Sequence, residues 1–143
     1  MDRKMRHIKV MLDKLHDQMK KPLSMTADVE YVKANGYKTD NSFPKAGWQR
    51  VSDDQGFSGY DQHYWLRSFF KTPERTSSEK YLIMNVTTGR EGHWDATNPQ
   101  GLLYLNGKME QGFDTNHREA FLDYDTYYEM YLYFYVGMIS DSV

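Results

Sequence analysis

The sequence predicts a mainly β fold, an antiparallel β-sandwich with one N-terminal α-helix. Three observations lead to this prediction. Residues 122–136 alternate between apolar and other side chains with a period of two, the spacing of a β-strand. The pair Asn106-Gly107 lies between two strand-like runs, which is a strong signal for a β-hairpin. Aromatic residues make up 15% of the chain, and they favour pleated surfaces.

Length and composition limit the classes of protein to consider. A chain of 143 residues is one domain by length and is long enough to form a hydrophobic core. Its net charge of −2 gives no reason to expect nucleic acid as a partner. The absence of cysteine excludes disulfides and thiolate metal sites. No apolar run reaches the ~20 residues of a membrane helix, and no signal peptide is recognisable, so we expect no membrane and a cytoplasmic location.

Residues 1–22 are predicted to contain the helix, over residues 3–20. Four apolar residues recur at spacings of three and four: Ile8, Met11, Leu15 and Met19. Lys and Asp occupy the other sides, and Pro22 ends the helix because the residue before a proline disfavours the helical region. Acids mixed among the bases and a narrow apolar stripe argue against a membrane surface. We expect the helix to pack on the rest of the protein or on a partner chain.

Residues 23–143 form the predicted sandwich. A short strand is expected around Val29–Val32, and Phe43-Pro44, Trp48 and Val51 indicate the beginning of another strand, with turn signals between the two. Tyr64–Lys71 and Lys80–Thr87 are clearer strands. Residues 122–136 predict one long strand, or two strands with a turn near Asp125. The second side of this segment carries so many tyrosines that we expect it to meet another surface.

The stretch after the hairpin is the candidate functional segment. Residues 111–119 concentrate amide, acidic and basic side chains in one turn region, which suits an acid/base site, a metal site or a loop that satisfies its own hydrogen bonds. Asp114 and Glu119 have the residue type of a glycosidase pair. Acids at turns more often accept local backbone hydrogen bonds, so an Asx-type turn is predicted at Asp114 and no catalytic residue is assigned.

Metal and glycan binding are weighed in the same way. The pairs His93 with Asp95 and Asp114 with His117 fall short of the three ligands that a metal site needs, so no metal ligand is assigned. Trp94 lies in a loop and is the one tryptophan assigned a substrate-binding role, by stacking on a sugar ring.

Eleven residues in and after the hairpin carry a resemblance to a known family: Leu103, Tyr104, Asn106, Gly107, Gln111, Gly112, Asp114, Asn116, His117, Arg118 and Glu119. Their order and spacing resemble a segment of the class II α-mannosidases (glycoside hydrolase family 38), in the β-sandwich domain that precedes the catalytic barrel. The motif covers about a seventh of the chain. Asn106, Gly107, Gln111, Gly112, Asp114, Asn116, His117, Arg118 and Glu119 are therefore assigned as a structural motif.

The resemblance implies a non-catalytic N-terminal accessory domain, a jelly-roll-type sandwich of about eight strands. It implies the catalytic barrel of the parent enzyme as partner, a contribution to the active-site mouth and contacts in a homo-oligomer. The family's zinc is held by His and Asp residues of the barrel, and Glu91–Asp95 does not match that motif, so no cofactor is expected in this chain. Two alternatives stay open: a free-standing carbohydrate-binding module with a glycan as ligand, and a small complete enzyme.

Overall fold

The protein is built from antiparallel β-strands in a computed structural model, which describes residues 27–35, 42–52, 54–75, 81–87, 92 and 99–137. These residues contain eight strands and no helix. The prediction of a mainly β, antiparallel fold is therefore confirmed. The helix predicted within residues 1–22 lies outside the described residues.

Two sheets contain the eight strands. The strands are β1 (Glu30–Ala34), β2 (Gln49–Arg50), β3 (Gln62–Lys71), β4 (Leu82–Asn85), β5 (Gln100–Leu105), β6 (Lys108–Phe113), β7 (Glu119–Leu122) and β8 (Tyr127–Val136). The large sheet has the order β2-β1-β3-β8-β5-β6, and the small sheet consists of β4 and β7. All neighbouring strands are antiparallel.

The small sheet covers one side of the large sheet, which we call the core face. Buried residues of β5, β6 and β8 pack there with Ala120 and Leu122 of β7, and with Leu82 and Met84 of β4. On β8 the core residues are Tyr128, Met130 and Leu132, which follow the period of two in the sequence. Burial of this apolar surface between the two sheets is the main force that stabilises the fold.

The opposite side of the large sheet is aromatic, and we call it the aromatic face. Trp65, Tyr104 and Tyr133 are buried on it. Phe43 and Trp48, from the segment before β2, cover part of this side. The rings of Phe43 and Tyr131 stack with centroids 4.0 Å apart and planes 6° apart. The predicted second surface for the tyrosines is thus supplied in part by residues 42–48.

The strand that Phe43-Pro44, Trp48 and Val51 indicated is present as β2, but it consists only of Gln49 and Arg50, which pair with β1. Gly47 has a φ of 87°, outside the extended region. The indole Nε1 of Trp48 donates to the carbonyl oxygen of Pro44 at 2.9 Å, which closes a local bend. Phe43 and Trp48 therefore pack against the large sheet through their side chains, while the backbone of residues 42–48 does not pair with a strand.

Within residues 122–136, Leu122 is the last residue of β7 and Tyr127–Val136 form β8. A turn separates the two strands near Asp125, which is the second of the two arrangements that the sequence predicted. Asp125 lies in the turn with a φ of 48°. Thr72, buried at the end of β3, holds the turn in place: its hydroxyl donates to the carbonyl oxygen of Asp123 at 2.7 Å and accepts from the N–H of Thr126 at 2.9 Å.

Candidate functional site

The β5–β6 hairpin has the turn that its sequence predicts. Asn106 has a φ of 50° and Gly107 a φ of 81°, so both central residues are in the left-handed region and the type I′ turn is confirmed. The register shifts between Leu103 and Tyr104, which marks a β-bulge in the hairpin. The turn reverses the direction of the chain, so β6 runs antiparallel to β5 and leads to the motif residues that follow the hairpin.

The motif residues after the hairpin lie at one end of the large sheet, around an open cleft of about 690 Å³. The strand ends of β5, β6 and β7 form its walls, and its lining residues are Gln100, Gly101, Gln111, Gly112, Phe113, Asp114, Asn116, His117, Arg118 and Glu119. Seven of the nine motif residues are among them, whereas Asn106 and Gly107 lie at the hairpin tip. The cleft is the candidate site.

Asp114 organises the turn at the mouth of the cleft. Its Oδ1 accepts hydrogen bonds from the backbone N–H groups of Asn116 at 2.8 Å and His117 at 2.7 Å. This is the Asx-type turn predicted from the sequence, and it is confirmed. The carboxylate of Asp114 therefore accepts hydrogen bonds from two backbone N–H groups that lie just beyond the end of β6.

The ring of His117 also contacts Asp114, with Nδ1 2.9 Å from Oδ1 and 2.8 Å from Oδ2. Partial burial would raise the pKa of the Asp114 carboxyl, but the bonds from the backbone of Asn116 and His117 and from the His117 ring outweigh it, and the pKa is lowered. A general acid of a retaining glycosidase needs a raised pKa. Asp114 is therefore unsuited to that role.

Three further side chains of the motif join the cleft to neighbouring segments. Gln111 donates from Nε2 to the carbonyl oxygen of Glu119 at 2.8 Å, which joins the large sheet to the small one. Arg118 donates to Oδ1 of Asn85 in β4 at 3.1 Å. The side-chain oxygen of Asn116 accepts from the N–H of Gly92 at 3.0 Å.

Gly112 lies inside β6 opposite Leu102, and its φ is outside the left-handed region, so the backbone conformation at this position does not require glycine. Gly101, which the motif does not include, is the glycine that the packing requires. A Cβ built on it would lie 1.9 Å from the carbonyl oxygen of Tyr133 in β8. A glycine inside a strand pattern is the sequence signal for such close backbone approach.

The other candidate residues are not brought together. Glu119 belongs to β7 and pairs with Asn85, so it is held in the small sheet. Among the described residues, no three His, Asp or Glu side chains converge on a point where they could ligate a metal, so zinc finds no ligand set in this part of the chain. His93, Trp94 and Asp95 lie outside the described residues.

A second cleft, of about 550 Å³, was not foreseen from the sequence. It lies beside the small sheet and is lined by Arg75, Tyr81, Leu82, Phe121, Leu122, Asp123 and Tyr124. Tyr81 and Phe121 are 73% and 72% exposed, with ring centroids 5.9 Å apart. Exposed aromatic pairs of this kind offer contact surface to a ligand or a protein partner.

The comparisons with known proteins give no relative. No family model, curated protein or solved structure matches this chain. Across the residues that the structure describes, no helix has the length and apolar character needed to cross a membrane.

Proposed function

We propose that this chain is the non-catalytic N-terminal accessory domain of a glycoside hydrolase of the class II α-mannosidase type. In this proposal the fold is a jelly-roll-type sandwich, and its task is to support the catalytic barrel and the contacts between subunits. The parent enzyme works in the cytoplasm and holds its zinc in the barrel. The chain takes part in glycan degradation without performing the chemistry.

One observation supports the accessory role above the others: the polar side chains of the motif bind the domain's own backbone and strands. Asp114 is occupied by two backbone N–H groups and an imidazole, and Gln111 by a backbone carbonyl. A catalytic pair needs one ionised and one protonated carboxyl group aimed at the same bond. Side chains already engaged in holding a loop suit a docking element better than a reaction centre.

The position of the cleft fits a barrel that follows in the chain. β8 ends at Val136, next to Gln100, which lies opposite Tyr135. Gln100 also lines the cleft, so β8 leaves the sheet at the same end as the turn at Asp114. A barrel joined after β8 would adjoin the exposed residues Asn116 and His117.

Two experiments test the proposal. The gene sequence downstream of the codon for Val143 should encode a barrel with the His and Asp zinc ligands of this family, and an unrelated sequence there would contradict the proposal. The purified chain should release no product from aryl α-mannosides, with or without added zinc. Turnover that follows protein purity and is lost in Asp114→Ala would replace the accessory role with an enzymatic one.

A carbohydrate-binding module is the second candidate, and the exposed rings of Tyr81 and Phe121 favour it. Aromatic rings stack on the apolar faces of sugars, and Arg75 and Asp123 in the same cleft offer hydrogen bonds to hydroxyl groups. Titration with α-linked mannobiose, followed by protein fluorescence or calorimetry, tests it. Saturable binding that Phe121→Ala abolishes, and that Tyr60→Ala on another exposed surface leaves intact, would favour this role.

A further inference from the structure

The tip of the β5–β6 hairpin carries a chemically labile dipeptide. Asparagine loses its side-chain amide most readily before glycine, because glycine has no side chain to shield its backbone nitrogen, and Asn106 precedes Gly107. Both residues are exposed to solvent. The amide of Asn106 is nevertheless bound to β8: Oδ1 accepts from the N–H of Glu129 at 2.8 Å, and Nδ2 donates to the carbonyl oxygen of Tyr127 at 3.2 Å.

Loss of this amide is a reaction of the chain with water alone. The backbone nitrogen of Gly107 attacks Cγ of Asn106, the Cγ–Nδ2 bond breaks, and the amino group leaves as ammonia with the proton of the attacking nitrogen. The five-membered succinimide that results then takes up one water molecule. Opening of the ring at Cγ gives aspartate, and opening at the main-chain carbonyl carbon gives isoaspartate. The balance requires no oxidant, reductant or further reactant.

We infer that Asn106 is a deamidation site that stays closed while the hairpin is attached to β8. Ring closure needs Cβ of Asn106 eclipsed with the nitrogen of Gly107. The φ of 50° at Asn106 belongs to the left-handed conformation of the type I′ turn, in which these two atoms are not eclipsed. The side chain must also leave Glu129 and Tyr127 before its Cγ can reach that nitrogen.

The attachment that protects Asn106 is held from both sides of β8. On the hairpin side, the backbone N–H of Asn106 donates to the carbonyl oxygen of Glu129 at 3.0 Å, beside the two bonds of the side chain. On the β3 side, the hydroxyl of Thr72 accepts from the N–H of Thr126 at 2.9 Å and fixes the turn before Tyr127. Deamidation therefore requires a local opening in which the start of β8 separates from the hairpin.

The product of the reaction cannot restore this attachment. Aspartate at position 106 lacks the Nδ2 donor and places a carboxylate oxygen against the carbonyl oxygen of Tyr127, so two acceptors face each other. Isoaspartate adds a methylene group to the backbone of a two-residue turn. Each opening of the hairpin thus exposes the chain to a change that refolding does not reverse. The same chemistry applies whether or not the chain serves a glycoside hydrolase.

Mass spectrometry of tryptic peptides tests this on the wild-type chain, incubated at mildly alkaline pH in buffer and in urea. The peptide 91–108 contains Asn106 and Asn98, and Asn98 cannot close the ring because Pro99 follows it and has no N–H. Residue 106 should lose its amide at least about tenfold more slowly in buffer than in urea, because the reaction waits for the opening. Equal rates in the two solutions would overturn the inference.

Two variants distinguish opening of the hairpin from a general loss of stability. Thr72→Val removes the buried hydroxyl that fixes the turn before Tyr127. Ser68→Ala, the matched control, removes a buried hydroxyl of β3 that donates to the carbonyl oxygen of Asp28, on the β1 side. In buffer, residue 106 should deamidate several-fold faster in Thr72→Val than in Ser68→Ala. Equal rates in the two folded variants would contradict the protection by β8, and if Thr72→Val does not fold, the wild-type comparison decides.

The effect of the modification is measured separately. Asn106→Asp reproduces one product of the reaction and should unfold at a lower urea concentration than wild type, since it lacks the bond to the carbonyl oxygen of Tyr127. A midpoint at or above that of wild type would show that the modified hairpin attaches to β8 as well as the intact one does.

Discussion

The side chain of Asn106 continues the ladder between the hairpin and β8 by binding the backbone of Glu129. Its oxygen accepts from the N–H of Glu129 at 2.8 Å, while its own backbone N–H donates to the Glu129 carbonyl oxygen at 3.0 Å. Its Nδ2 also donates to the carbonyl oxygen of Tyr127 at 3.2 Å. Asn106 therefore adopts the left-handed conformation that the turn needs and also binds the turn to the neighbouring strand β8.

Gly107→Val should lower the free energy of unfolding by about 1–3 kcal/mol, because a β-branched residue resists a φ of 81°. Nothing lies within 4 Å of a Cβ at this position, so the cost comes from the backbone and not from a clash. Gly107→Asn is the control and should cost less, since Asn tolerates this region. Urea denaturation gives both values, and equal midpoints for the two variants would contradict the type I′ turn.

Gly101→Ala should lower stability by about 1–3 kcal/mol or more, because its Cβ would meet the Tyr133 carbonyl oxygen and force β5 away from β8. Gly112→Ala provides a matched control in the paired strand β6, where a Cβ meets nothing within 4 Å. Denaturant midpoints of the two variants measure the difference. A stable Gly101→Ala variant would mean that β5 and β8 lie farther apart than described.

Lowering the pH should reduce the free energy of unfolding of the wild type more steeply than that of the Asp114→Asn variant. The hydrogen bonds to Asp114 lower its pKa in the folded state below the ordinary value of 3.8. A carboxyl of this kind stabilises the fold above its unfolded pKa, and the contribution is lost as the pH falls through the folded pKa. Unfolding free energies measured from neutral pH down to about pH 3 should therefore converge for the two proteins. Parallel profiles would show that Asp114 has no such role.

Arg118 and Asn85 should be energetically coupled, since their hydrogen bond joins the start of β7 to the end of β4. Arg118→Ala should destabilise the domain, and a double-mutant cycle with Asn85→Ala should give an interaction of about 0.5–1 kcal/mol. His117→Ala, whose ring is largely exposed, should cost less than Arg118→Ala. Additive losses in the cycle would show that Arg118 acts through other contacts.

Local sequence patterns predicted the parts of the fold that local physics determines. The alternation of Tyr128, Met130 and Leu132 placed them on one side of a strand, and Asn106-Gly107 specified its turn. The Asx turn at Asp114 was also predictable, because its partners Asn116 and His117 are two and three residues away. In each case the interaction depends on neighbours in the sequence.

Contacts between distant parts of the chain were not predictable in this way. Nothing near Arg118 indicates Asn85 as its partner, and nothing near Gly101 indicates how closely β8 approaches. The segment 42–48 has strand-like composition, yet tertiary packing draws its aromatic side chains onto the sheet. Tyr81 and Phe121 are brought together by the position of the small sheet, and no local sequence pattern indicates that position.

The pairing of β3 with β8 has a consequence for synthesis on the ribosome. Gln62 lies opposite Val136 and Lys71 opposite Tyr127, so the central strands of the large sheet come from the middle and the end of the described chain. Pairings between segments so far apart slow folding. β3 and β5 emerge with unpaired edges, which are prone to aggregation until β8 is available. Of the strands that the structure describes, β8 is translated after all the others, and the large sheet is complete only when β8 has been synthesised.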